Sequence, residues 1–367
     1  AVRFPLGHYP AGLYPYGYQQ PSNLEIVLAF GRLRSENARI IRETPIHDLF
    51  PSVEDKVHAG GEMEVRSGLL GDCEGFYRSS LGVGGQFTTI LSLDITKTDP
   101  PRSSTIVSRP GAVYASREAL YLCVPHEREQ GIGWFSAMED HEQVSTVHKF
   151  KLDETEYVGS GVVKGEILNQ FSMDEHKGFL RVATSSGHVP NPNVHSTLTV
   201  LQQRGRVLVQ AGIVDQLAPG EDIRSVRFAG DRGFIVTFKK TDPLFVLDLK
   251  DPTRPTVEAE LKIPGYSTYM HMMDDRHLMS IGYDADEQGS FAWFTGVMLQ
   301  IFDVSDPKNP KRTHKEVIGT RGSSSEALTN HLAFTYFAPR NLLALPMTIC
   351  EDSSGGGSYG SNMTFSG

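Results

Sequence analysis

Phe245-Val-Leu-Asp-Leu-Lys-Asp-Pro-Thr-Arg-Pro255 returns later in the chain as Ile301-Phe-Asp-Val-Ser-Asp-Pro-Lys-Asn-Pro310. In both, an apolar β-prone run ends in aspartate, an Asp-Pro pair follows, and a second proline comes three residues on. Aspartate accepts hydrogen bonds from backbone N–H groups just downstream, while proline fixes φ and stops the strand. A weaker copy is Ile90-Leu-Ser-Leu-Asp-Ile-Thr-Lys-Thr-Asp-Pro-Pro101. After the turn each copy enters another β-prone stretch ending in glycine, at 256–265, 313–319 and 104–111.

Two degenerate copies, 146–153 and 196–202, lie between them. Taking Asp94, Asp153, Gln202, Asp248 and Asp303 as equivalent gives spacings of 59, 49, 46 and 55 residues. Blades of four strands repeat at about 40–50 residues, longer where loops are inserted. Short β-rich runs fill the intervals: 223–228, 233–238, 244–249 and 256–263 make one unit, and 266–271, 278–283, 297–302 and 311–318 the next. The sequence therefore predicts an all-β fold, a β-propeller of four-stranded antiparallel blades that is incomplete in this chain. The remaining blades are expected on a missing or separate C-terminal segment, because 363–366 resembles a strand cut short and an unclosed set exposes sheet edges.

Residues 1–22 are expected to form a Tyr/Pro/Gly-rich N-terminal tail and 23–367 the blades, the first of them divergent before about residue 88. No stretch beyond a dozen residues shows a helical period free of Gly or Pro, which tells against an α/β enzyme; short helices are allowed at 45–57 and 323–330. The Gly/Ser run 353–361 is expected to be a flexible loop.

A net charge of −9 disfavours nucleic acid and anionic membrane surfaces as partners. The longest apolar runs, 341–349 and 296–302, fall short of the roughly 18–20 residues that cross a bilayer, so no transmembrane segment is expected. The chain opens at Ala1 without an initiator methionine or apolar leader, which fits a processed secreted protein or a fragment. Its three cysteines, Cys73, Cys123 and Cys350, lack metal-thiolate spacing; in an exported protein they imply one disulfide and one free thiol or an external partner, Cys73 with Cys123 being one pairing.

Several strings resemble a family of secreted prokaryotic proteins with a C-terminal β-propeller domain distantly related to WD repeats. They are Leu168-Asn-Gln-Phe-Ser-Met-Asp174, Gly178-Phe-Leu-Arg-Val-Ala-Thr184, Ile223-Arg-Ser-Val-Arg-Phe228, Val236-Thr-Phe-Lys-Lys-Thr-Asp-Pro-Leu-Phe245, Phe302-Asp-Val-Ser-Asp-Pro307 and Arg321-Gly-Ser-Ser-Ser-Glu-Ala-Leu328. The resemblance covers roughly 88–367. It implies a secreted or envelope-attached propeller, continuing past Gly367 in family members, with no activity to carry over.

The most metal-like string is Asp284-Ala-Asp-Glu-Gln-Gly289, in which Asp284, Asp286 and Gln288 could give oxygens to calcium; the acidic twelfth position of a calcium loop is here Thr295. A solvated inter-strand loop is the favoured reading of the same string, since short acidic runs are common. Ser323-Ser-Ser-Glu326 with His331 suggests a serine hydrolase, but lacks a nucleophile elbow, and a capping segment fits the same residues. His271, Met272, Met273 and His277 suggest a soft-metal site, which strand alternation divides between two faces. Asn362-Met-Thr364 matches a glycosylation acceptor.

The functional expectation is an extracytoplasmic binding or scaffold body engaging a protein or glycan partner, with calcium as a possible cofactor. The alternative is a metal-dependent hydrolase or lactonase-like propeller with a central-axis site. A further possibility is a proteolytic product still associated with its own C-terminal remainder.

Overall fold

The computed structural model describes residues 22–48, 50–71, 73–79, 81, 86–97, 99–126, 143–152, 155–189, 191–238, 242–263, 265–288, 291–352 and 364–366. The tail at 1–21, the Gly/Ser run and Asn362 lie outside them. The chain divides into two compact units, one of residues 1–77 with 89–106 and one of residues 78–88 with 107–367.

The first unit departs from expectation. Asn23–Glu43 is a 21-residue α-helix, where the sequence shows no long helical period free of Gly or Pro. Ser22 caps it: its Oγ accepts from the Glu25 N–H while the Glu25 carboxylate accepts from the Ser22 N–H, satisfying two of the donors a helix start leaves over. Gly31 breaks the apparent helical period in the sequence, yet open space surrounds it and the helix absorbs it at a cost of under about 1 kcal/mol. Leu33 is the helix's buried residue. A hairpin, Ser52–Ala59 with Glu62–Leu69, turns through Gly60 and Gly61, both at positive φ. Arg102–Val107 lies between Phe76–Tyr77 and Phe87–Ser92 in a three-stranded sheet. At 45–57, where the sequence allows a short helix or an irregular loop, a single 3-10 turn, Ile46–Asp48, is followed by strand.

The second unit is a series of meanders. One eight-stranded sheet is made of two four-stranded halves, called here the first and second sheets: Ala112–Ala115, Ala119–His126, Val144–Lys151 and Tyr157–Lys164 form the first, and Met173–His176, Phe179–Ser186, His195–Arg204 and Val207–Leu217 the second. Asp222–Ala229, Arg232–Phe238, Asp242–Asp248 and Thr256–Ile263 form the third, and Tyr266–Met272, His277–Gln288, Phe291–Asp303 and Lys311–Ile318 the fourth. Ser324–Ser325, Met347–Asp352 and Thr364–Ser366 form a three-stranded fifth. Each four-stranded sheet is antiparallel with its strands in chain order, as the repeat predicts.

The repeat marks fall at one structural position. Gln202, Asp248 and Asp303 all sit in or at the end of the third strand, ahead of its connection to the fourth, while Asp153 lies outside the described residues. The Asp248 carboxylate accepts from Lys250 N, Asp251 from Thr253 N, Asp303 from Ser305 N and Asp306 from Lys308 N, at 2.9–3.0 Å. The weak copy closes the same way in the first unit, where Thr96 N donates to Asp94 at 3.0 Å.

Because strand residues alternate sides, each sheet feeds two apolar interfaces. Phe234 and Val236 pack with Leu244, Val246, Met270, Leu278 and Phe302 between the third and fourth sheets. Their neighbours Ile235, Phe245 and Leu247 pack with Ala183, Leu198 and Val226 on the side of the second sheet. Two more clusters of this kind join the first sheet to the second and the fourth to the segment 327–347. Sheets thus stack face to face in chain order. The fourth strands of the first and second sheets also touch in one parallel pair, Val207 with Ser160.

Cys123 and Cys350 are buried free thiols, which corrects the Cys73–Cys123 pairing. Burial pushes the Cys123 thiol up to about 12. Cys123 is expected to resist alkylation in the native chain at pH 8 and to react once urea unfolds it; native alkylation within minutes, read by intact mass, would contradict this packing.

Candidate inner-strand binding site

The first strands of the third and fourth sheets lie against each other, and the turn at 170–172 that leads into the second sheet lies against the third sheet's first strand. These edges converge, so side chains more than 40 residues apart in sequence meet there. Asn169 positions Phe171 by accepting from its N–H at 3.0 Å. Arg227 and His271 occupy matched places, each two residues beyond a β-bulge, at Ile223/Ser225 and Ser267/Tyr269. The 3-10 turn His331–Ala333, capped by Asn330, brings in His331 and Phe334, and the hairpin Thr335–Phe337/Leu342–Ala344 adds Tyr336.

Tyr269 is the hub. Its ring meets Phe171 edge-on at 5.3 Å and Phe334 at 5.1 Å, and lies 6.4 Å from His331. His271 packs on Phe334 at 5.5 Å and Tyr336 at 5.6 Å, and Phe171 meets His331 at 4.9 Å. The Arg227 guanidinium sits over the Phe171 ring at 5.6 Å. Phe171, Arg227, Tyr269, His271, His331 and Tyr336 are each part-exposed, so the cluster is a surface and not a closed core. Beside it a cleft of about 490 Å³ is lined by Tyr336, Met273, His277, His314 and Asn341.

Burial, with the Arg227 charge adding to it, lowers the pKa of His271, so the ring is neutral at pH 7 and has one donor and one acceptor nitrogen. Burial raises that of Tyr269, against the opposing pull of Arg227, and keeps its hydroxyl protonated. The site therefore offers ring faces, a neutral imidazole, a phenol and one cation.

The residues singled out from the sequence are placed elsewhere or dispersed. Asp284, Asp286 and Gln288 lie in the strand His277–Gln288, where Asp286 pairs with Trp293 and Gln288 with Phe291, so the string runs through a ladder and not a loop. Asp284 is held by Lys315 Nζ at 2.6 Å, with Thr295 Oγ1 at 3.5 Å; a cation there would compete with that ammonium. The side chains of Asp286 and Gln288 lie outside the described residues. Met272 packs between the third and fourth sheets and Met273 beyond the fourth, while the His277 Nδ1 bonds to Asp274 at 2.8 Å, so the soft-metal quartet is not one site. Ser323 Oγ accepts from Cys350 N at 2.9 Å, and Ser325 Oγ accepts from Ala327 N. His331 has Gln170 Nε2 at 3.4 Å as its polar neighbour, so the serine cluster is structural. The aromatic cluster itself was missed; matching first strands across the repeat would have aligned Arg227 with His271.

Repeated four-stranded meanders, stacked face to face with their first strands converging, define a propeller-type architecture. The β-propeller domain family pattern matches residues 19–367, and the chain belongs to that family. It is 37% identical over 223 residues to an uncharacterized protein of Archaeoglobus fulgidus, a match covering 60% of this chain and 33% of that protein. It is 38% identical over 201 residues to an uncharacterized protein of Methanocaldococcus jannaschii, covering 54% and 30%. The chain thus spans about a third of the length of these curated relatives.

Proposed function

We propose that this chain is a binding propeller whose inner-strand surface engages a protein or glycan partner outside the cytoplasm. The observation that carries this is the part-exposed ring set around Tyr269, because large aromatic side chains left half open beside a cleft and flanked by a few polar groups are how ligand sites are built. The extracytoplasmic setting draws on the resemblance to secreted prokaryotic propellers. Neither serine nor metal chemistry is needed by this reading.

The test is retention on an immobilised panel of oligosaccharides and peptides. The unmodified chain is expected to bind at least one member, and Tyr269→Ala to weaken that binding about tenfold or more with the melting temperature lowered only slightly. Retention unaffected by Tyr269→Ala, or hydrolysis of an ester or lactone panel that depends on these residues, would overturn it.

A further inference from the structure

We propose that the inner-strand cluster takes an acidic sugar, with Arg227 receiving the carboxylate of a uronic acid. This rests on the binding reading above and names its ligand class. The key is the treatment of arginines in the same region. Arg181 is paired with Asp174 and donates to the Gly230 carbonyl at 2.6 Å; Arg224 lies 3.2 Å from Asp222; Arg232 donates to the carbonyls of Val304 and Asp275 at 2.7 and 2.5 Å. Arg227 and Arg232 both lack a carboxylate within ion-pair distance among the described residues, but Arg232 spends its fork on two backbone carbonyls, whereas Arg227 meets the neutral Tyr269 hydroxyl and is part-buried against the Phe171 ring. Arg227 is also the charged neighbour that acts on His271.

A part-buried guanidinium with no anion binds one more tightly than a fully solvated side chain does, because the surrounding rings reduce screening and the fork matches a carboxylate in two bonds. The rest of the enclosure selects what the carboxylate is attached to. Phe171, Tyr269 and Tyr336 offer flat apolar faces and edges, which suit the C–H face of a pyranose, while neutral His271 and the Tyr269 hydroxyl suit its hydroxyl groups. An acidic peptide would satisfy Arg227 and leave the rings uncovered. A long polyanion would be opposed by the chain's net charge of −9, so a short oligosaccharide is the fitting size.

The experiment compares trigalacturonate with its methyl ester, which keeps the shape and removes the charge, and with a hexaglutamate peptide, by titration calorimetry on the full 367-residue chain. Trigalacturonate is expected to bind about ten- to a hundredfold tighter than the ester, since a hydrogen bond to a charged group contributes on that scale. Arg227→Gln should erase the preference and Arg227→Lys should keep part of it, with circular dichroism confirming the fold; the acid-to-ester ratio on the unmodified chain stands even if a variant fails to fold. Equal binding of acid and ester, tighter binding of hexaglutamate, or no binding of trigalacturonate would each overturn the proposal. The first two would leave the broader binding reading intact, and the panel experiment decides that reading separately.

Discussion

Glu175→Ala is expected to destabilise the second unit by about 3–5 kcal/mol, the usual result of stripping one partner from a buried ion pair. Glu175 sits in the first strand of the second sheet, facing an otherwise apolar interface with the first sheet. Its carboxylate receives Lys149 Nζ at 3.2 Å and the hydroxyl of Ser116, and its own N–H donates to Tyr114 OH at 3.0 Å. Side-chain exposure is 15% for Lys149 and 9% for Glu175, so removing the carboxylate strands an ammonium that water barely reaches. Glu175→Gln keeps the shape and part of the hydrogen bonding and should cost less. Chemical denaturation checks both, and a loss below about 1 kcal/mol for the alanine variant would mean the pair is solvated after all.

The same group sets an acid limit. Burial works to raise the Glu175 pKa, but hydrogen bonds from Ser116 and Tyr121 and the Lys149 charge outweigh it and hold the carboxyl below 4.5. A carboxyl depressed by folding adds stability that is fully present above its unfolded pKa, near 4.5, and is lost as pH falls through the folded value. Unfolding midpoints should therefore drop between pH 5 and pH 3, as a rough window, and that drop should be smaller in Glu175→Gln.

Gly161→Val should cost about 3 kcal/mol or more by overpacking. A Cβ at Gly161 would meet the Leu208 carbonyl oxygen at 2.3 Å, and one at Gly159 the Arg206 carbonyl oxygen at 2.2 Å. Both clashes are with backbone, at the parallel contact between the fourth strands of the first and second sheets, so a rotamer change cannot relieve them. Gly31→Ala in the helix Asn23–Glu43 is the contrast: nothing lies within 4 Å, and a gain of about 0.5–1 kcal/mol is expected from helix propensity. Thermal melts of both variants decide the matter; a neutral Gly161→Val would show that the two sheets do not approach at that point.

Much of the second unit was legible because its signals are local. An aspartate that binds an N–H two residues away fixes a turn whatever surrounds it, so Asp248, Asp251, Asp303 and Asp306 marked the third-to-fourth strand connection from sequence alone. Alternating apolar residues then located strands such as 232–238 and 256–263 to within a residue or two. Where local signals conflicted, the reading failed. Gly31 concealed a helix that the Ser22–Glu25 capping box announces, and the acidic string from Asp284 suggested a loop where cross-strand partners such as Trp293 hold it extended.

The sequence by itself determined the strand repeat, the corner chemistry and an apolar character on both faces of the sheets, because these depend on neighbours within a few residues. Tertiary structure alone decided which side chains share a surface: Phe171, Arg227, Tyr269, His331 and Tyr336 come from separate elements and meet because the stacked sheets bring their first strands together. Arg227's lack of a counter-charge among the described residues belongs to the same category. An ion pair is a property of distance in space, and spacing along a chain does not encode it until the chain has folded.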